Sequence, residues 1–100
     1  MIRHTVAFSL RHRLGSDEEA AFLDAALGLA SIPGVQDFEQ LRQVSAKSSF
    51  QFSFSMEFAD AAAYQAYNEH PFHQSFVAER WANEVEAFQE LDFVPLSDEQ

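Results

Sequence analysis

One hundred residues with sixteen acidic side chains against six basic ones carry a formal charge of −10. That balance repels nucleic acid and anionic membrane surfaces and removes both from the expected partners. The absence of cysteine excludes disulfides and thiolate metal sites, and the absence of any apolar run of membrane-spanning length points to a soluble, cytoplasmic protein.

The opening "MIRHTVAFSL" alternates: His4, Val6, Phe8 and Leu10 fall on one face, Arg3, Thr5, Ala7 and Ser9 on the other, the period of a half-buried strand. "RHR" at 11–13 comes next and reads as a loop, with His12 solvated. Ser16, with Glu19 three residues later, is a capping signature. Phe22, Leu23, Ala26, Leu27 and Ala30 then recur at helical spacing until "IPGV" stops the run at Pro33 and Gly34. A poorly patterned strand is predicted over 35–44, and "SAKSS" is a turn. "FQFSFSMEF" at 50–58 places Phe50, Phe52, Phe54, Met56 and Phe58 on one face. Asp60 is a good N-cap for the helix "AAAYQAYNE". His70-Pro71 interrupts it, and a longer helix is predicted from Pro71 to about Phe88, before a last strand "ELDFVPL". One domain over 1–96 and a polar tail over 97–100 account for the chain.

The order strand, helix, strand, strand, helix, strand folds most simply as a ferredoxin-like α+β sandwich, an antiparallel four-stranded sheet with helices on one face. The Phe-bearing face must be the covered one. The other, with Thr5, Ala7, Ser9, Ser53, Ser55 and Glu57, is small and polar. Periodicity leaves open whether it stays wet or closes on a second copy.

The stretch "AYNEHPFHQSF" at 66–76 carries the chemistry. With Pro71 at the first helical position, His70 is the cap and His73 shares the core-facing stripe with Phe76, Val77, Trp81, Val85 and Phe88. His4 reaches the same core from the sheet, and Tyr67 from the preceding helix. The helix N-terminus and an apolar surround favour neutral His73, the form a base requires, while Tyr67 could donate to a carbonyl. Buried His and Tyr groups often do no more than satisfy each other or a carbonyl. A metal set of His70 and His73 with His4 or Glu69 is the rival reading; the two spacing-related imidazoles point in different directions, which weighs against it.

Taken together, "IRHTVAFSL", "IPGVQDFE", "FSMEFADAAAYQAY" and "HPFHQSFV" resemble the stress-responsive dimeric α/β-barrel (Dabb) family over almost the whole chain. The resemblance implies a ferredoxin-like subunit that pairs with itself through the sheet faces. The family includes plant olivetolic acid cyclase, a cofactor-free aldol cyclase, and by that likeness His73 would be the base, Tyr67 its assisting donor and His4 a pocket residue. The position of Phe72 is commonly small in the family, so a narrower or plugged pocket is expected. The reading is a homodimer with an apolar pocket in each subunit, walled by His4, Phe8, Phe54, Phe72, Phe76 and Trp81 and binding a small hydrophobic or aromatic molecule without metal or cofactor. An acid-base enzyme working on carbonyl compounds, and a stress-protective protein with no ligand, are the alternatives.

Overall fold

A computed structural model describes residues 1–98; Glu99 and Gln100, at the end of the expected tail, lie outside the described residues. The strands are β1 (Ile2–Leu10), β2 (Gln36–Arg42), β3 (Phe52–Phe58) and β4 (Val85–Phe93), in one sheet of order β2-β3-β1-β4. All neighbouring pairs are antiparallel. Helix α1 (Asp17–Ala26) ends in a 3-10 turn, Leu27–Ser31. Helix α2 (Ala61–Glu69) is followed by α3 (Pro71–Phe76), a π turn (Val77–Trp81) and a last helical turn, α4 (Ala82–Glu84).

The two central strands are those with the cleanest alternation. Their register sets Phe8 against Phe52, Val6 against Phe54 and His4 against Met56, so residues of one parity all face the helices. Phe8 and Phe58 are fully buried; Phe22 of α1 packs on Phe8, and Tyr64 and Tyr67 of α2 pack on Phe58. Phe8 is the hub of this core: its ring lies 4.7 Å from that of Phe54, 5.0 Å from Trp81, 5.6 Å from Phe52 and 5.9 Å from Phe22. A run of aromatic edges and faces at these spacings adds to the burial itself.

The caps form as the sequence requires. Ser16 Oγ accepts from the Glu19 N–H, and the Glu19 carboxylate reaches back to the Gly15 N–H. The Asp60 carboxylate accepts from the Ala63 N–H at 2.9 Å. Asp60→Ala is expected to cost about 1 kcal/mol, read as a lower denaturant midpoint at unchanged slope.

One feature explains the weak patterning expected over 35–44, and two depart from the sequence reading. Strand β2 is weakly patterned because its register against β3 shifts between Gln36 and Glu39, where Asp37 takes φ 51°. An extra residue in left-handed conformation breaks the period of two, and aspartate tolerates that conformation better than most residues. The last helix stops at Glu84 rather than near Phe88, and β4 starts at Val85 rather than Glu90. Here tertiary pairing overrides the helical stripe: β1 offers its length from Arg3 to Leu10 to an antiparallel partner, and residues 85–93 fill it. His12 is half-buried and paired with Glu84 at 2.7 Å, where a solvated loop residue was expected. Glu84 also takes Arg80 one helical turn earlier, so this carboxylate ties the β1–α1 loop to α4.

The outer face of the sheet is less polar than its central strands imply. Strand β2 adds Leu41 beside Ser53, and β4 adds Leu91 beside Thr5 and Phe93 beside Arg3. These three are about half exposed.

Candidate functional site

The break between α2 and α3 sets the site. His70 takes extended backbone (φ −64°, ψ 135°), as a residue before proline prefers, and its Nδ1 accepts from the Phe72 N–H at 3.1 Å. His70 is thereby spent as a cap. The turn brings His73 back against Tyr67, with ring centroids 4.5 Å apart. Among the described residues, no cluster of three or more histidine or carboxylate side chains is arranged to hold a metal ion.

Between the sheet and these helices lies a cavity of about 220 Å³. Its apolar walls come from β1 and β3 (Val6, Phe54, Met56), the 3-10 turn (Leu29), α3 and the π turn (Phe76, Trp81). Its polar groups are His4, Tyr67, Asn68, His73 and Glu90. Of the residues singled out in the sequence, His4, Phe54, Tyr67, His73, Phe76 and Trp81 therefore border one space. Phe8 and Phe72 do not. Phe8 sits fully buried behind the wall, and Phe72 turns outward. A Cβ at Gly28 would stand 2.5 Å from Cζ of Phe72, so the tip of this ring packs where the glycine has no side chain, and the ring is not part of the cavity wall.

Tyr67 is 2% exposed and its hydroxyl bonds no protein group among the described residues; none of their fully buried side-chain oxygens lacks a partner, so the residual exposure includes this hydroxyl. It borders the cavity instead. Burial pushes its phenol well above the usual tyrosine range, with the Glu90 carboxylate adding to the effect, so it remains an O–H donor. His73 is half-buried, and its Nδ1 lies 3.2 Å from the Asn68 carbonyl. A carbonyl can only accept, so Nδ1 carries the proton and Nε2 keeps its lone pair. Burial lowers the His73 pKa below its usual value, against the opposing pull of the Asn68 carbonyl.

Two groups not singled out in the sequence fix the third polar member. His4 Nδ1 lies 2.6 Å from Asp92 Oδ1 and 2.8 Å from the Tyr64 hydroxyl, which in turn donates to Asp92 Oδ2 at 2.9 Å. This closed triangle holds the imidazole with Nδ1 toward the carboxylate. Burial and then the bond to Asp92 drive the Tyr64 phenol upward as well. Tyr64 was legible as lying one helical turn before Tyr67; Asp92 required the register that sets it against His4.

No curated protein sequence compared with the chain matches it. Solved structures do. A Dabb family protein with a ferredoxin-like fold from Mesorhizobium loti is 58% identical, with a TM-score of 0.93 over 95% of this chain and 96% of that one. A dimeric ferredoxin-like protein of unknown function from Thermobifida fusca is 21% identical, with a TM-score of 0.78 over 94% of this chain and 90% of that one. The hydroxynitrile lyase of Passiflora edulis is 15% identical, with a TM-score of 0.80 over 94% and 92% of the two chains. These last two are likenesses of fold alone. The family model described as the stress responsive A/B barrel domain matches residues 2–95, and with this sheet order and that near relative, the chain belongs to the stress-responsive A/B barrel family.

Proposed function

We propose that each subunit binds a small, largely apolar molecule bearing a carbonyl or similar acceptor, with Tyr67 as the donor to it. The observation that carries this reading is Tyr67 on the wall of an apolar cavity, its side chain almost wholly buried, its phenol held protonated and its hydroxyl bonded to no protein group among the described residues. A donor facing an apolar cavity forms a stronger hydrogen bond to a ligand acceptor there than it would in open water. A space of about 220 Å³ exceeds the ~150 Å³ that holds benzene and falls short of the ~300 Å³ at which drug-sized sites begin. One substituted ring matches it, whereas a long polyketide does not.

Trp81, the single tryptophan, borders the cavity and reports occupancy by its fluorescence. Titration with acetophenone is expected to give a saturable change in the wild type. Tyr67→Phe, which removes only the hydroxyl, should weaken binding by roughly two- to tenfold. Equal affinity in the two proteins would discard Tyr67 as the donor, and no saturable change at all would discard the site.

His73 favours a second reading of the same cavity, acid-base chemistry on the bound carbonyl compound. Its Nδ1 contact with Asn68 leaves Nε2 as a base, and its lowered pKa keeps it neutral at ordinary pH. Pairing of two copies through the outer sheet face is part of the proposal. Leu41, Leu91 and Phe93 stand exposed there, and covering them would stabilise the pair. Light scattering on serial dilution tests it, with a persistent dimer expected and a monomer at all concentrations as the contrary result.

A further inference from the structure

The cavity opens along β4. The helix-side residues of that strand, Phe88, Glu90 and Asp92, face Phe8, Val6 and His4 of β1, and the helices leave them exposed. Phe88 and Glu90 line the cavity. Asp92 is occupied by His4 and Tyr64. The Glu90 side chain has no hydrogen bond or ion pair among the described residues. No lysine or arginine borders the cavity, so nothing in its wall offsets this carboxylate. Burial holds the His73 imidazole toward its neutral form, and it supplies no compensating cation. The Glu90 charge nevertheless acts across the space: after desolvation it is the further cause raising the Tyr67 phenol, and it opposes the fall at His73.

We infer that Glu90 determines which ligand the cavity accepts: an uncharged ring with an acceptor for Tyr67 and an O–H or N–H donor for Glu90, as in a hydroxyaryl ketone or aldehyde, with carboxylated congeners shut out. The inference rests on the cavity being the ligand site proposed above. A free carboxylate on an apolar wall gains a charge-assisted hydrogen bond from a ligand hydroxyl, worth more than a neutral one. A ligand carboxylate brings a like charge beside it and finds no lysine or arginine in the wall to pair with.

Three probes of one shape separate the possibilities: acetophenone, 4′-hydroxyacetophenone and 4-acetylbenzoate, each titrated near neutral pH, where the last is ionised, with Trp81 fluorescence as readout. The wild type is expected to bind the hydroxy ketone about tenfold more tightly than acetophenone, and the carboxylate at least about tenfold more weakly. Glu90→Gln should shrink both ratios to about threefold or less, and Glu90→Lys should place the carboxylate ahead of acetophenone. Ratios unchanged in Glu90→Gln, with acetophenone still binding, overturn the role of Glu90 and leave the ligand site standing. Acetophenone failing to bind any of these proteins overturns the site itself, and the inference with it.

Discussion

Replacing His73 with glutamine is expected to slow deuterium exchange at the methyl group of bound acetophenone by roughly 10²- to 10⁴-fold, the usual loss on removing a positioned base. The step is balanced within the site. The α-carbon proton passes to Nε2 of His73, the C–H electron pair moves into the enolate, and the Tyr67 O–H hydrogen-bonds the oxygen that gains charge. Return of a deuteron from Nε2 after exchange with solvent restores the ketone. His73 is the third residue of α3, and the Asn68 carbonyl holds its Nδ1 proton. Glutamine keeps a polar side chain there but cannot take up the proton.

The pH dependence arises from burial. The folded protein holds the His73 pKa below the usual 6.5, so the exchange rate should be flat above that value and fall only as pH drops through the lowered one. Stability moves the same way. Below 6.5 the unfolded chain gains the proton first, so the contribution of neutral His73 is complete above 6.5 and lost as pH falls through the folded pKa. Proton NMR of the methyl group in D2O measures the exchange. Equal rates in the wild type and the variant would remove His73 as the base while leaving ligand binding untouched.

Phe8→Ala is the substitution with the largest expected effect on stability, a loss of about 3–5 kcal/mol. Its ring is fully buried and stands against Phe22, Phe52, Phe54 and Trp81, which come from a helix, the neighbouring strand and the π turn. Rings held from three elements cannot all move inward to fill the void, so relaxation recovers little. A domain of this size holds only about 5–15 kcal/mol in total, and the loss should lower the thermal midpoint by roughly 12 °C or more. Calorimetry or circular dichroism checks it. A shift of only a few degrees would mean that the aromatic cluster collapses around the gap.

The strands at the centre of the sheet were readable because each has one side of small and polar residues and one dry side, so parity alone assigns Phe8, Phe54 and Met56 to the core. The caps were readable because Ser16, Asp60 and His70 act within a few residues of themselves. What failed was long-range. "VEAFQE" at 85–90 continues a helical stripe in Val85 and Phe88 equally well as it alternates, and only the pairing with β1 decides. The convergence of His4, Tyr67 and His73 could be drawn from faces, but the space between them could not, since volume depends on where neighbouring rings come to rest. Phe72 shows this: the family resemblance implies a narrower or plugged pocket, while the bare backbone of Gly28, distant in sequence, gives the tip of its ring a seat outside the cavity wall. Glu90 and Asp92 were invisible as site residues because both were assigned to a strand whose register was unknown.

The π turn at Val77–Trp81 has an N–H of Ala82 bonded to the carbonyl of Val77, five residues back. Such a turn holds one residue more than the ordinary helix covering the same rise, so the extra residue is absorbed locally and the helical chain on either side keeps its face. Deleting a single residue here would let the helix run on unbroken and remove the local bulge beside Trp81. Relatives with one residue fewer in this stretch should therefore carry an uninterrupted helix on the same scaffold, with only the wall around the former bulge reshaped.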